Sequence, residues 1–484
     1  MESVIKQAVA GMVNATQLQR NAQQAGGESH GLILDAQPGK AVLVPQGVDL
    51  SGADYVRQGP DLVLVQPDGT TILIRDYFAQ GDEAPDLLAA DGSYIPGDLA
   101  LKLAGPLAPG EFAQAGNAKA AAQAIGRVDT QAGDVNVVHA DGTKGVLHKG
   151  DAIYQGDVLQ TPKGASVGLV FMDGTTLGLG ANGRLVLDQM VYDPSTHTGK
   201  SAFSLVQGSF SFVSGQIAKS APDAATIRTP VATIGIRGTM VAGSFTPDGG
   251  LTTALLPEGQ STGEFSITTS AGTTTNNQSF GAVHVSNFFS VPSNVVLVSQ
   301  GQIANSFREV LNAVSNTNVP SEAKAAADQI LMQVFQQSTQ DQGTNGQHGT
   351  VEDAFKGNTG AQTNVDAKFA EAAQKAILEA VADGKPVEAA LLAAMAASQA
   401  FKEAKDQGAT HEKAMEAAGK IAGDTGILQT DDFKSSHDLK SEINKTDSKE
   451  SEYVEQAKDN VWLRDETIKV VENIISTEPP ETEP

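Results

Sequence analysis

Between Gly31 and Gln300 the apolar positions come in short runs that alternate with small or polar residues, the period of a half-buried strand. Leu62–Val65 and Thr71–Arg75 are two such runs. They flank Gln66-Pro67-Asp68-Gly69, a turn sequence that predicts a hairpin. The same chemistry recurs at Asp91-Gly92-Ser93, Asp141-Gly142-Thr143 and Asp173-Gly174-Thr175. Val167–Phe171 and the stretch around Phe210 and Phe212 alternate cleanly, and Phe203, Phe210 and Phe212 read as core. Strands at roughly ten-residue spacing predict an all-β sandwich, roll or short solenoid. Leu251–Gln300 should add edge strands to that unit.

From Gln302 the texture turns helical, with Ala, Glu, Lys and Gln dominant. Ala376–Ala394 aligns with Ala400–Ala418, a near-repeat that pairs Gly384 with Gly408 and Leu391 with Met415. Each copy reads as helix, Gly C-cap, then a new helix that starts near Pro386 or Thr410. The predicted fold is therefore mainly β in the N-terminal half, as two β units, followed by an α-helical, partly disordered C-terminal region. The divisions are a polar segment (1–30), a β-rich unit (31–117), an Ala-rich linker (118–127), a second β domain with a C-terminal strand extension (128–300), an Ala-rich helical region (302–430) and a charged, largely disordered tail (431–484). Gln340–Thr350 reads as a polar linker within the helical part.

At 484 residues two to four units are expected. The net charge of −24 argues against nucleic-acid binding, which needs a basic patch, and disfavours anionic lipid surfaces. With no cysteine there is no disulfide, thiolate metal site or thiol nucleophile. Neither a secretory h-region nor an apolar run long enough to cross a membrane is visible. No cofactor is expected.

Three stretches carry a family pattern: Gly156–Gly180 (GDVLQTPKGASVGLVFMDGTTLGLG), Leu205–Gly215 (LVQGSFSFVSG) and Thr226–Thr239 (TIRTPVATIGIRGT). A GD turn (Gly156, Asp157), a Thr-Pro step (Thr161, Pro162) and a DG turn (Asp173, Gly174) are followed by G-x-F (Gly208, Phe210), I-x-T-P (Ile227, Thr229, Pro230) and R-G-T (Arg237, Gly238, Thr239). In this order they resemble the FecR domain family, over roughly residues 128–246. The resemblance implies structural or partner-binding roles for these positions and a bacterial envelope setting. Gly59–Leu64 with Pro67–Thr70, Ile74, Tyr77 and Phe78 resembles the prefix region of large type I-secreted bacterial adhesins. That likeness implies export by a type I-like route; a cytoplasmic location is the other reading.

Within Thr226–Thr239, Pro230 lacks a ladder donor and should keep the piece out of the centre of a sheet. Gly235 and Gly238 suggest a bend or bulge around Arg237. Arg228 and Arg237, which flank a Thr-Pro-Val-Ala-Thr strand, read as an ion pair or edge charges ahead of an anchor for an acidic partner. Gly164-Ala165-Ser166-Val167-Gly168 and Gly178-Leu179-Gly180-Ala181-Asn182-Gly183 imitate a nucleophile elbow and a dinucleotide loop. Both lead into strand rather than helix, so their glycines read as structural. His139 and His148 flank the Asp141-Gly142 turn and could face each other across a hairpin, without further ligands for zinc.

The expectation is a non-enzymatic structural or interaction module of an envelope or secreted, adhesin-like assembly, docking an unidentified protein or polysaccharide. The alternatives are an envelope signalling component of the FecR type and an intracellular scaffold. Ala-rich helices leave room for self-association.

Overall fold

The computed structural model describes residues 31–45, 47–79, 84–89, 92–106, 123–257, 263–317, 349–356, 363–385, 387–406 and 408–428. The expected N-terminal segment, charged tail and Pro386, half of the Ala-rich linker and most of the Gln340–Thr350 linker lie outside these residues; the other half of the Ala-rich linker leads into strand from Ala124.

The first β unit holds β1 (Leu32–Asp35), β2 (Val42–Val44), β3 (Asp54–Gln58), β4 (Asp61–Val65), β5 (Thr71–Arg75), β6 (Leu87–Ala89), β7 (Tyr94–Ile95) and helix α1 (Gly97–Ala104). One sheet has the order β1-β5-β4-β3 and a smaller one β2-β6-β7. The predicted β4–β5 hairpin is present. Gln66 N–H donates to Thr70 O (2.8 Å), the Asp68 carboxylate accepts from Thr70 N–H (2.8 Å), and Gly69 takes φ +85°.

The second β unit runs through β8 (Ala124–Ala132), β9 (Val135–Val138), β10 (Lys144–Leu147), β11 (Ala152–Tyr154), β12 (Val158–Thr161), β13 (Ser166–Phe171), β14 (Thr176–Leu179), β15 (Gly183–Asp193) and β16 (Thr198–Val213). After the short helix α2 (Gln216–Ser220) follow β17 (Ala225–Arg228), β18 (Thr233–Arg237), β19 (Met240–Thr246), β20 (Gly250–Leu256), β21 (Glu264–Thr269), β22 (Gly272–Asn276), β23 (Gly281–Val285) and β24 (Val296–Leu297). Pairing assembles two sheets. Sheet I has the order β11-β8-β13-β14-β16-β19-β20-β23-β24. Sheet II has the order β10-β9-β12-β15-β16-β17-β18-β21-β22.

Strand β16 belongs to both sheets. Its first part pairs with β15 and β17, and from Gly208 onward it pairs with β14 and β19. Gly208 makes the transfer at φ +104°, where a Cβ would come within 2.6 Å of Gly183 Cα. Between the sheets lies one core that includes Leu169, Leu177, Phe203, Phe210, Phe212, Val241, Phe245 and Ile267.

Both outer faces of this double sheet are covered. On sheet II, Val158, Val186 and Val206 join Leu50, Leu62, Leu64 and Tyr77 of the first unit in one buried cluster. On sheet I lie α3 (Gln300–Ser315), whose N-terminus has a Ser299/Gln302 capping box, and α4 (Val351–Lys356). Three further helices follow: α5 (Thr363–Ala382), α6 (Val387–Asp406) and α7 (His411–Asp424). The near-repeat is visible in their caps. Gly384 (φ +87°) and Gly408 (φ +81°) each end a helix with the same bond pair, Gly384 N–H to Val381 O with Lys385 N–H to Ala380 O, and Gly408 N–H to Lys405 O with Ala409 N–H to Ala404 O. Part of the Ala-rich surface expected to leave room for self-association packs within the chain. Ala389, Ala390, Ala393, Ala394 and Ala397 are fully buried in a cluster with Leu88, Tyr94, Phe288 and Phe289. Among the described residues no helix is long and apolar enough to cross a membrane.

Candidate partner-binding site

The family-pattern residues hold the double sheet together. Gly156 turns at φ +87° and brings the buried Asp157 carboxylate to His139 Nδ1 (2.8 Å) and Tyr154 N–H (2.9 Å). Burial pushes the Asp157 carboxyl above the usual carboxylate range, against the opposing His139 bond. Thr161 Oγ1 donates to Gly180 O and accepts from Gly183 N–H (2.9 Å), while Pro162 O accepts from Ala165 N–H (3.0 Å). Asp173 is buried beside Gly174 (φ +84°); its carboxylate accepts from Thr175 N–H (2.9 Å), Thr175 Oγ1 (2.8 Å) and, across the sheet, Ile217 N–H of α2 (3.2 Å). Phe210 and Ile227 are in the core. Thr239 exchanges bonds with Ser214, its N–H donating to Oγ (2.9 Å) and its carbonyl accepting from it (2.7 Å).

Four readings are corrected. Thr229–Ala232 is a turn, closed by Thr229 N–H to Ala232 O (2.8 Å), and not a strand between two arginines. Pro230 therefore sits where no ladder donor is needed, and β17 and β18 on either side are interior strands of sheet II. Gly235 lies within β18, and only Gly238 (φ +58°) bends the chain. His139 and His148 stand at opposite ends of the β9–β10 hairpin, because Lys144 pairs with Val138 and Leu147 with Val135. Arg237 makes an exposed ion pair with Glu264 (3.2 Å).

The imitative glycines have a use that the sequence did not disclose. Thr130, Gly168, Gly178, Ser211, Ala242, Ala254 and Ala282 are successive partners across sheet I. They form a trough of small residues about 29 Å long at 4.8 Å per strand. Helix α3, 16 residues and about 24 Å long, lies in it. Ser211 Oγ donates to Val310 O (3.0 Å) and Thr130 Oγ1 to Ala313 O (3.1 Å). A Cβ on Gly168 would stand 3.0 Å from Ala313 O, and one on Gly178 3.0 Å from Val310 O. Ile303, Ala304, Phe307 and Leu311 fill the alanine end.

A groove of about 810 Å³ opens at the sheet transfer, between the first unit and the double sheet. Asp49, Gly52 and Pro67 form one wall, and Asn182, Gly208 and Asp248 the other. Its lining holds hydroxyls, amides and two carboxylates, with no lysine or arginine. Arg184 fixes the two walls by donating to Ala53 O (2.6 Å) and to the Asp54 carboxylate (2.7 Å). Lys102 of α1 adds a bond to Asp188 (2.7 Å), which is half-buried and also accepts from Ser204 Oγ (2.6 Å). Such a lining suits hydrogen-bonded recognition and repels anions. Among the described residues no cluster of His, Asp and Glu could hold a metal ion.

Residues 157–260 match the sequence family described as FecR protein. This matched segment supplies Gly168, Gly178, Ser211, Ala242 and Ala254 of the trough and Gly208 of the groove. Two solved structures of a proposed anti-sigma factor from Parabacteroides distasonis ATCC 8503 are similar to the chain at 11% identity. One alignment covers 33% of this chain and 73% of that protein with a TM-score of 0.23. The other covers 40% and 95% with a TM-score of 0.22. These likenesses are too slight to carry an argument. No curated protein matches the chain.

Proposed function

We propose that this chain is a non-enzymatic regulatory protein of the FecR type, which acts in envelope signalling by binding a protein partner. The observation that carries the reading is the FecR match over residues 157–260, the part of the chain that builds the shared strand β16 and most of the trough. Its family-pattern side chains serve turns, core and cross-strand bonds, and no catalytic constellation is formed from them. The FecR match favours regulation over the adhesin-like reading, for which the N-terminal hairpin was the argument. The groove beside Gly208 is the proposed contact surface, since it lies at the rim of the double sheet and is open to solvent.

The test is genetic. The gene is deleted in the native host, transcripts are profiled, and the strain is complemented with the wild type or with Asp49→Lys/Asp248→Lys. A discrete gene set that changes on deletion, and is restored by the wild type alone, is the expected result. Unchanged transcripts beside altered surface attachment would remove the regulatory reading and restore the adhesin-like one.

A further inference from the structure

The four-stranded sheet of the first unit has two unlike faces. Tyr55, Leu62, Leu64, Ile72 and Ile74 point inward and join the cluster that covers sheet II. By alternation the residues between them point outward, where an antiparallel sheet that meets water is ordinarily polar. The register instead lines up Ile33 of β1, Leu73 of β5, Val63 of β4 and Val56 of β3 as successive partners. This apolar row crosses the whole sheet, three strand spacings or about 14 Å. The ion pair of Asp35 and Arg75 (2.7 Å) flanks it on one side, and Thr71, Val65 and Asp54 on the other. Val56 and Ile33 are 45% and 39% exposed. Among the described residues, none of the four joins a buried hydrophobic cluster.

The chain enters this sheet at Gly31, whose N–H donates to Thr71 O (2.9 Å), two residues before Ile33. Residues 1–30 precede it. They are polar overall, yet Val4, Ile5, Ala8, Val9, Met12 and Val13 recur with the spacing of one helical face, opposite Ser3, Lys6, Gln7, Asn14 and Gln17. In helical form Val4 to Val13 spans about 14 Å, the width of the row. Residues 14–30 extend over about 55 Å at most, far more than a return to the row requires, and Gly26-Gly27 permit the chain to reverse. The tether decides between occupants. Four side chains present far less than the roughly 800 Å² per side that a stable complex of separate proteins buries. A segment on a short flexible linker meets the row at an effective concentration in the millimolar range, on the order of what so small a contact needs.

We propose that residues 4–13 lie as an amphipathic helix across the Ile33–Val56 row of the same chain, and so cap the outer face of the first unit as α3 caps sheet I. The inference stands apart from the regulatory reading, because it concerns a contact within the chain and not the partner.

Hydrogen exchange of the full chain, read by mass spectrometry at several protein concentrations, tests this in the wild type, Ile33→Ser/Val56→Ser and Ile5→Ser/Val9→Ser. Neither pair touches the inward cluster. In the wild type the amides of residues 4–13 should exchange at least about tenfold more slowly than in an unstructured peptide, at every concentration. Each double variant should lose this protection while β4, β5 and α3 exchange as before. Unprotected residues 4–13 in the wild type, or protection that survives Ile33→Ser/Val56→Ser, would overturn the proposal. Protection that grows with concentration would assign the row to a second copy and overturn it equally. Should Ile33→Ser/Val56→Ser also loosen β4 and β5, a pair of nitroxides answers separately. The chain has no cysteine, so Lys6→Cys and Gln58→Cys carry the two labels alone. A narrow distribution of distances between them is expected, and a broad one overturns the proposal.

Discussion

Substituting Gly178 by alanine tests the trough directly. The site is in the middle of a strand with no left-handed backbone requirement, so the perturbation is the added methyl itself. That methyl would stand 2.6 Å from Ser211 Oγ, 3.0 Å from Val310 O and 3.5 Å from Ala313 Cβ. The first two distances are below ordinary contact, and Val310 O is helix backbone, which cannot rotate aside. Either the helix lifts or the strand sinks. Overpacking of this kind costs about 1–3 kcal/mol. Loss of the Ser211–Val310 bond adds about 1 kcal/mol, so the total is about 2–4 kcal/mol.

Gly145→Ala is the control, because its methyl would meet only Val137 Cγ1 at 3.6 Å. Urea unfolding gives the stability, and hydrogen exchange of the Ile303–Val314 amides shows whether α3 has moved. Adding Ser211→Ala should return only part of the loss. It clears the 2.6 Å contact but leaves the 3.0 Å contact with the Val310 carbonyl. If Gly178→Ala matches the Gly145→Ala control and α3 exchange is unchanged, close approach does not seat the helix and the trough argument fails.

Two further substitutions probe how the parts are joined. Arg184→Lys keeps the charge but removes the fork that reaches both Ala53 O and Asp54. It should cost about 1–3 kcal/mol and speed exchange in Leu50–Gln58 while sparing α3; equal speeding everywhere would show that Arg184 does not hold the first unit specifically. Asp173→Ala leaves Thr175 N–H, Thr175 Oγ1 and Ile217 N–H without their acceptor in a buried turn. A loss of about 2–4 kcal/mol is expected by thermal or urea unfolding, and a change under 0.5 kcal/mol would refute the turn's role.

The features legible in the sequence are those made by neighbours in the chain. The Asp68-Gly69 and Asp173-Gly174 turns, and the helix ends at Gly384 and Gly408, follow from local backbone chemistry. Phe203, Phe210 and Phe212 follow from alternation. Pro230 misled because its effect was assigned to a strand when the residue lies in a turn, and the histidines misled because the hairpin register was unknown. The trough depends on register across strands far apart in the chain, so Gly168 and Gly178 surfaced only within imitations of enzyme motifs. A signal for it was present. Val167-Gly168-Leu169, Leu177-Gly178-Leu179 and Phe210-Ser211-Phe212 each place a small residue between two large apolar ones. The large pair faces the core, and the small residue faces outward, where an element must approach closely. The covering of sheet II was hidden in a different way. Val158, Val186 and Val206 look like ordinary alternation defects until the first unit is laid over them.

These coverings restrict how the proposed partner could reach residues 157–260. The small-residue face of this segment is occupied by α3, which lies outside residues 157–260, and its valine face by a unit that precedes them. The faces are occupied over much of their area, with outward residues such as Arg237 and Glu264 left exposed on sheet II. Helix α3 joins β24 through Val298 and Ser299 alone and buries Ile303, Phe307, Val310, Leu311 and Val314, so its removal would expose much of a core. The six-residue α4 rests on the Glu352 carboxylate, the buried Val351 side chain and the His284–Phe355 ring pair. Ser244 belongs both to that contact and to the groove lining. Of the covering elements on sheet I, α4 is the smaller, yet it too is held at several points: by the buried Val351, by the Ser306 and Ser244 hydroxyls on Glu352, and by the His284–Phe355 ring contact.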